Sequence, residues 1–271
     1  MGRFDDIKCC GESDRRVVCW FSCGSTSAIA TKLALKEYRD HDEFSIVYTD
    51  PGSEHPDNMR FLKDCEEWFE HPVTILRSDK YKDTWDVFEK TRYLAGPMGA
   101  RCTVELKKVL RVEYQQPDDI HIFGFDVSER RRVERFQLNN PDVDLRTPLI
   151  DANLTKPDCM AMLERAGIEL PAMYRLGFPN ANCIGCSKAE GAGYWNQIRR
   201  VFPETFDRMA KVERELNSSC VKRYEKNPGG GKDIRIKVFL DELDPDAGAD
   251  VEVMPDCSIL CAIAESELED G

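Results

Sequence analysis

Residues Arg16 to Leu35 read RVVCWFSCGSTSAIATKLAL, and this stretch decides the fold that the sequence predicts. Its first part, Val17 to Phe21, is apolar and rich in β-branched and aromatic side chains, which is typical of a buried parallel strand. The apolar run stops at Ser22. From Ala28 to Tyr38 the chain consists of good helix formers with apolar residues at helical spacing. The stretch therefore predicts a strand, a tight polar loop and a helix.

The loop between this strand and this helix has the composition of an anion-binding site. It combines one glycine with several hydroxyl side chains, and its candidate binding residues are Ser22, Gly24, Ser25 and Ser27. Free backbone N–H groups at a helix start, the positive end of the helix dipole and nearby hydroxyls together favour a bound phosphate or sulfate. An ordinary serine-capped turn is the alternative interpretation. The loop is not a Walker loop, because the pattern Gly-x-x-x-x-Gly-Lys-Ser/Thr is absent.

Further strands and helices alternate along the chain. Apolar runs predict buried strands at Phe44–Tyr48, Val73–Leu76 and Ile120–Phe123. Pro56–Phe69 predicts a helix with one apolar face. This alternation predicts an α/β fold with a doubly wound parallel sheet, which binds ligands at the carboxyl ends of its strands. Asp50 and Gly52, in a turn after the second strand, are therefore expected at the same edge of the sheet as the loop.

Cysteines form the second group of candidate site residues. Cys183-Ile184-Gly185-Cys186 is a CxxC turn, whose spacing lets two thiolates reach one metal centre while Gly185 permits the tight backbone. Cys102 precedes a predicted helix, Val104–Val112, whose dipole is expected to depress the thiol pKa and favour metal binding or nucleophilic attack. Three interpretations remain open for these cysteines: a four-iron cluster, a zinc site and a redox dithiol.

Six segments in the same order resemble the 3′-phosphoadenylylsulfate (PAPS) reductase family of the adenine-nucleotide α-hydrolase-like, PP-loop superfamily. Ser22–Ser27 resembles the family's Ser-Gly-Gly-x-Asp-Ser loop, with Cys23 and Thr26 as departures. The other similar segments lie at 49–57, 102–108, 124–135, 146–151 and 171–186. They resemble, in turn, an adenosine-pocket segment, a cysteine-plus-basic segment, an arginine-containing segment, a Pro-Leu-Ile-Asp strand end and a cysteine motif. Together they cover roughly residues 16–195.

The resemblance implies an adenine-nucleotide site and an iron–sulfur cluster. The nucleotide, which is ATP, adenylylsulfate (APS) or PAPS, is expected to contact Ser22, Gly24, Ser25, Ser27, Asp50, Gly52, Lys107, Gly124, Arg130 and Arg135, with Mg²⁺ as an optional companion. The cluster is expected to be a 4Fe-4S centre on Cys102, Cys183 and Cys186. The family's APS reductases carry a cysteine pair at the upstream position, where this chain has Cys102 alone.

Two enzymatic functions and one non-enzymatic function follow from the resemblance. The first is reduction of a sulfonucleotide, APS or PAPS, with Cys257 or Cys261 as the catalytic thiol of the C-terminal tail. The second is an ATP-dependent sulfur transferase that adenylates a nucleic acid or nucleotide and releases pyrophosphate. The third is a nucleotide-binding partner subunit without catalysis. The departures at Cys23 and Thr26 are what suggest this third function.

Composition places the chain among globular proteins with reduced thiols. Hydrophobic residues make up 41% and charged residues 32% of its 271 residues. A net charge of −12 argues against extensive nucleic-acid binding, which needs clustered Lys and Arg; the densest such group is at Arg130, Arg131, Arg132 and Arg135. The N-terminus shows no signal-peptide core, so a cytoplasmic location is expected, where the twelve cysteines would not form disulfides.

The sequence also predicts domain boundaries and binding partners. Residues 1–15 are expected to be a polar lead-in, 16–226 the nucleotide and cysteine domain, and 227–271 an acidic extension beyond a flexible joint at Asn227–Gly231. The expected partners are a small-molecule nucleotide and a thiol reductant or sulfur-donor protein, and a homodimer is compatible with this interpretation. No apolar run approaches the ~20 residues of a membrane span, so no membrane partner is expected.

Overall fold

The strands and helices follow the chain in an alternating order. The structure, a computed structural model, describes residues 14–96 and 99–248. The strands are β1 (Val17–Trp20), β2 (Phe44–Thr49), β3 (Val73–Leu76), β4 (Ala95–Gly96), β5 (Gly99–Ala100), β6 (Ile120–Phe123), β7 (Asp144–Arg146), β8 (Val221–Glu225) and β9 (Ile234–Val238). The α-helices are α1 (Ser25–Glu37), α2 (Asn58–Phe69), α3 (Thr84–Thr91), α4 (Arg101–Thr103), α5 (Val109–Tyr114), α6 (Arg130–Asn139), α7 (Pro148–Asp151), α8 (Lys156–Arg165), α9 (Ala172–Arg175), α10 (Ala192–Val201) and α11 (Pro203–Leu216).

Five of these strands form one parallel sheet in the order β3-β2-β1-β6-β7. Central strand β1 pairs Cys19 with Ile46 of β2 on one side and with Ile122 of β6 on the other. The chain moves outward in one direction from β1 to β3 and then resumes on the opposite side with β6. This reversal creates a crevice at the carboxyl ends of β1 and β6, where doubly wound folds bind their ligands. The predicted doubly wound α/β fold is confirmed.

Helices cover both faces of the sheet, as a parallel sheet requires. On one face, α1 packs against α2, α7 and α8, and the main core contains Val17, Cys19, Ile29, Phe61 and Leu163 at 2% exposure or less. On the other face, the rings of Trp20 and Phe123 contact Tyr114 of α5 and Phe136 of α6, respectively. The sheet edge that carries the loops therefore sits on a rigid two-sided support.

A second apolar cluster lies beyond the sheet and joins α3, α10, α11 and the strands β8 and β9. Trp195, Ile198, Met209 and Leu240 in this cluster are fully buried. β8 and β9 form an antiparallel hairpin, with Val221 opposite Val238. The boundary expected after residue 226 therefore divides a hairpin, and the expected flexible joint is its turn. Residues 232–248 pack on the helices because Leu240 and Leu243 are buried there.

Local structure corrects the sequence prediction at one further place and refines it at another. The segment resembling a Pro-Leu-Ile-Asp strand end is the helical turn α7, because Pro148 suits a first helical position; the strand is the preceding β7. The helix predicted from Val104 to Val112 runs from α4 to α5 through a π-helical turn, Val104–Lys108. π-turns inside helices are frequent at functional sites.

Within the described residues, no helix is both long and apolar enough to cross a bilayer.

Candidate functional site

The loop after β1 is closed by the hydroxyl of Ser27. The Ser27 Oγ atom accepts a hydrogen bond from the Ser22 backbone N at 3.0 Å and donates to the Gly24 carbonyl at 3.0 Å. The Ser22 hydroxyl lies 3.1 Å from the same oxygen. The first intrahelical bond of α1 joins Ala28 N to Gly24 O at 3.1 Å. The N–H groups of the three residues before Ala28 therefore lie at the positive end of the helix, where an anion is stabilised.

Cys23 occupies the loop position where the resembling family has glycine. Its φ angle is 55°, in the left-handed region that favours glycine, and its side chain is fully buried. The backbone of a glycine loop is therefore retained although the side chain differs. Burial raises the pKa of the Cys23 thiol well above its usual range, so this thiol is neutral at physiological pH.

The phenol of Tyr174 reaches the loop from a segment far along the chain. Tyr174 Oη lies 3.4 Å from the Ser25 backbone N and 3.5 Å from the Ser25 hydroxyl, both of which can donate to it. A Cβ atom added at Gly24 would lie 3.4 Å from the same oxygen. Sequence reasoning gave Tyr174 no role, although the similar segment 171–186 contains a tyrosine. The phenol is therefore a further polar group at the candidate anion-binding loop.

Two of the glycines predicted for the nucleotide site allow backbone segments to approach each other closely. A Cβ atom at Gly124, after β6, would lie 2.6 Å from the Cα of Ser27, so only glycine lets the end of β6 pack against the loop. Gly52 has φ +67°, and a Cβ there would lie 2.4 Å from the Lys82 carbonyl. Both positions shape the crevice, and any contact that they make with a nucleotide stays a prediction.

Asp50 lies at the carboxyl end of β2, as predicted, and holds the adjoining turn. Its Oδ1 atom accepts a hydrogen bond from Gly52 N at 2.8 Å. Its Oδ2 atom forms an ion pair with Arg77 at 2.7 Å, whose own side chain is 68% exposed. The carboxylate is thus fixed in orientation by one partner from the turn and one from the end of β3.

The three predicted metal ligands line one cavity. Cys102, Cys183 and Cys186 border a cavity of about 60 Å³ together with Lys107 and Lys188. The CxxC turn is held there by Ile184 N, which donates to the Ser53 carbonyl at 3.0 Å, and by Cys186 N, which donates to Tyr194 Oη at 2.9 Å. Residues 81 positions apart in the sequence, Cys102 and Cys183, are therefore brought to the same site.

Burial has the largest effect on the pKa values of the Cys102 and Cys183 thiols. It raises the pKa of Cys183 well above its usual range, and the Glu54 carboxylate raises it further. Burial and the neighbouring Cys186 also raise the pKa of Cys102. The expectation of a depressed Cys102 pKa is wrong, because desolvation of the thiolate by burial outweighs the groups that stabilise it.

The donor chemistry of the cavity fits a thiolate-bound cluster. Soft thiolates bind iron–sulfur clusters, and the two lysines offset the negative charge that thiolates bring. The Ser187 hydroxyl, 3% exposed and on the same cavity, interacts with the Cys102 thiol and favours its thiolate form. Within those residues, no set of three His, Cys, Asp or Glu side chains is already arranged to hold a metal ion.

Glu54 and Lys107 lie between the loop side and the cysteine side of the site. Lys107 Nζ is 3.2 Å from Glu54 Oε1, and the Glu54 side chain is 4% exposed. Glu54 also accepts hydrogen bonds of 2.8 Å from Tyr48 and from Asn58. Burial opposes the charge of Lys107, but the charge and hydrogen bond of Glu54 outweigh it and raise the lysine pKa. Lys107 is therefore a permanent cation beside the cavity.

Comparison with known proteins adds no family assignment. No protein-family model matches the chain, and no curated protein does. The site is therefore interpreted from its own residues and geometry.

The remaining predicted residues lie outside this constellation. Arg130 and Arg135 are exposed on α6, and among the described interactions neither side chain contacts the loop; Arg130 donates to the Ile150 carbonyl at 3.3 Å. Cys257 and Cys261, the predicted catalytic thiols, lie outside the described residues. The structure thus brings together the loop, Asp50, Gly52, Lys107, Gly124 and the three cysteines at one edge of the sheet.

Proposed function

We propose that this protein belongs to the PAPS reductase family, binds an adenine sulfonucleotide on the loop Ser22–Ser27, and reduces it in a site that contains an iron–sulfur cluster. The arrangement of segment 171–186 carries this proposal. Its Tyr174 end contacts the loop, and its Cys183 and Cys186 end lines the cavity. One continuous segment therefore supports both a phosphate-binding element and a thiolate-rich cavity.

The roles of the chain's own groups follow from their positions. The N–H groups at the start of α1 and the hydroxyls of Ser22 and Ser27 would bind the phosphate or sulfate. Lys107, cationic beside the cavity, would neutralise negative charge that develops on the leaving oxygen. The cluster, held by Cys102, Cys183 and Cys186, would supply electrostatic or redox tuning when bound.

The reaction proposed for this site is two successive thiol displacements. A tail thiolate, from Cys257 or Cys261, attacks the sulfur of APS or PAPS, the bond between sulfur and the phosphate oxygen breaks, and the nucleotide leaves with the electron pair. A second thiol attacks the sulfonated cysteine, sulfite leaves and a disulfide forms. A dithiol reductant protein then restores the thiols, which agrees with a cytoplasmic location.

An ATP-dependent sulfur transferase is the second candidate. The cavity brings together Cys102, Cys183 and Cys186, which would hold a four-iron cluster with three thiolates, and such a cluster would supply sulfur-transfer chemistry when bound. In that reaction an acceptor oxygen attacks the α-phosphorus of ATP, pyrophosphate leaves, and sulfur then displaces AMP. Mg²⁺ would accompany the triphosphate.

Product analysis of anaerobically purified protein separates these functions. Reduction gives sulfite and AMP (from APS) or its 3′-phosphate (from PAPS) in the presence of a dithiol, whereas the transferase gives AMP and pyrophosphate from ATP when acceptor and sulfur donor are present. We expect about four irons and about four sulfides per chain. Cys183→Ser and Cys186→Ser should lose both iron and turnover, while the matched control Cys65→Ala, in the core of α2, should keep them. Zinc without sulfide would refute the cluster. Nucleotide binding without any product would leave only the partner-subunit function.

A further inference from the structure

A basic β-ribbon extends from the second apolar cluster. Residues 221–238 form the hairpin β8–β9 and are called the ribbon below. The ribbon contains six basic and two acidic residues, a net charge of +4, in a chain whose net charge is −12. Five residue pairs at about 3.4 Å per residue make a strip about 17 Å long. A concentrated positive strip on an acidic protein indicates an anionic partner.

Half of the ribbon's cations are available to such a partner. Lys226, Lys232 and Arg235 are exposed, and none of them is paired with a carboxylate among the described residues. The other three are engaged: Lys222 with Glu190, Lys237 with the Asn217 carbonyl, and Arg223 with Glu225. The ribbon therefore offers about three phosphate contacts.

An exposed aromatic ring lies among these free cations. Tyr224 is 57% exposed, and it stands directly opposite Arg235 in the hairpin register. Directly opposed residues share one face of a hairpin, so the ring and the guanidinium are neighbours. A flat aromatic surface next to a cation is the combination that binds single-stranded nucleic acid, because every base can stack on a ring while its phosphate meets the charge.

The base of the ribbon lies next to the cysteine cavity. Lys222 N donates to the Glu190 carbonyl at 3.2 Å, and Cys186 begins the turn that leads to Glu190, with Ala189 N bonded to the Cys186 carbonyl at 2.9 Å. Lys188, within this turn, lines the cavity itself. A strand bound along the ribbon would therefore lie close to the proposed site of sulfur chemistry.

We propose that the ribbon binds the phosphate backbone of a single-stranded nucleic acid. Tyr224 stacks on a base, and Lys226, Lys232 and Arg235 contact phosphates. Such a compact footprint is compatible with an acidic protein, whereas extensive binding is not. The proposal goes beyond the proposed function and does not depend on the cluster or on turnover.

Fluorescence anisotropy of the full chain with a labelled single-stranded oligonucleotide tests this proposal. Three phosphate contacts predict a slope of about −2 for log K against log salt concentration. The variant Lys226→Glu/Lys232→Glu/Arg235→Glu should lose at least about tenfold in affinity together with most of that slope. Tyr224→Ala should weaken binding about tenfold without changing the slope, because stacking is uncharged.

The matched control is Arg39→Glu/Lys63→Glu/Lys211→Glu, which reverses three exposed cations elsewhere and gives the same net charge. Equal loss in the control, or no binding by the wild type at low salt, would overturn the proposal. If poly-glutamate displaced the strand equally well and Tyr224→Ala bound normally, the surface would be one for acidic proteins instead. Calorimetry with APS on the ribbon variant reports separately on the nucleotide site, so a failure to bind APS would count against the proposed function alone.

Discussion

Gly24 is the residue whose small size bears most directly on the proposed nucleotide site. A Cβ atom there would lie 3.4 Å from Tyr174 Oη and 3.7 Å from Ser22 Oγ, which is ordinary contact, and its φ of −118° is open to any residue. The fold should therefore tolerate a side chain. A bulky one would fill the space above the N–H groups at the start of α1.

We predict that Gly24→Val keeps the fold but reduces ATP or APS affinity at least tenfold, about 1.4 kcal/mol or more, in isothermal titration calorimetry. Gly191→Val is the matched control, because a Cβ at Gly191 has no atom within 4 Å. Unchanged affinity in a folded Gly24→Val protein would show that the loop does not bind the nucleotide.

At the scale of the element, the CxxC turn depends on a glycine for two separable reasons. Gly185 has φ +73°, and a Cβ there would also lie 2.8 Å from Thr205 Cγ2 of α11. Gly167 has nearly the same conformation, φ +74°, with open space around it. An alanine at either position would therefore have the same unfavourable left-handed backbone, but only an alanine at Gly185 would also clash with a neighbouring side chain.

We expect Gly167→Ala to cost about 1 kcal/mol in urea unfolding and to leave iron content unchanged. Gly185→Ala should cost more and should also lower the iron bound per chain, because α11 pushes the turn away from the cavity. Equal costs with full iron content in both variants would contradict this account of the turn.

The pH dependence of unfolding is a property of the whole molecule, because Asp57 connects two segments that lie far apart in the sequence. Its carboxylate accepts hydrogen bonds from Arg60 in α2 and from the Ala172 backbone N at 2.7 Å. The hydrogen bonds from Arg60 contribute most to lowering the pKa of Asp57 from 3.8 to about 2. A group with a depressed folded pKa stabilises the protein above its unfolded pKa and loses this effect as pH falls.

Asp57→Asn should therefore reduce the free energy of unfolding by about 1–2 kcal/mol at neutral pH. The difference from wild type should shrink between about pH 4 and pH 2, because the wild type then loses the same stabilisation by protonation. Urea unfolding across this range measures it, with Glu204→Gln on the exposed start of α11 as control. A difference that stays constant with pH would exclude this role for Asp57.

The sequence was sufficient for four of the five strands of the sheet and insufficient for β7 and for contacts between distant segments. Apolar runs and turn residues placed β1, β2, β3 and β6 within a residue or so, since burial and local backbone preference decide them. The meeting of Tyr174 with Ser25 has no local signal, because it depends on how the segment before the CxxC turn folds back over the sheet. Strand β8 has a weak local signal for a related reason, because only its first residue is buried.

The stretch from Tyr174 to Cys186 is anchored on the loop at one end and on the cavity at the other, with Ile184 tied to Ser53 near its far end. This stretch therefore determines the spacing between the two sites. The count of residues between its two anchors sets the distance between the loop Ser22–Ser27 and the cysteine cavity. A chain with one additional residue in this interval would keep every candidate site residue but would change the distance between the loop and the cavity.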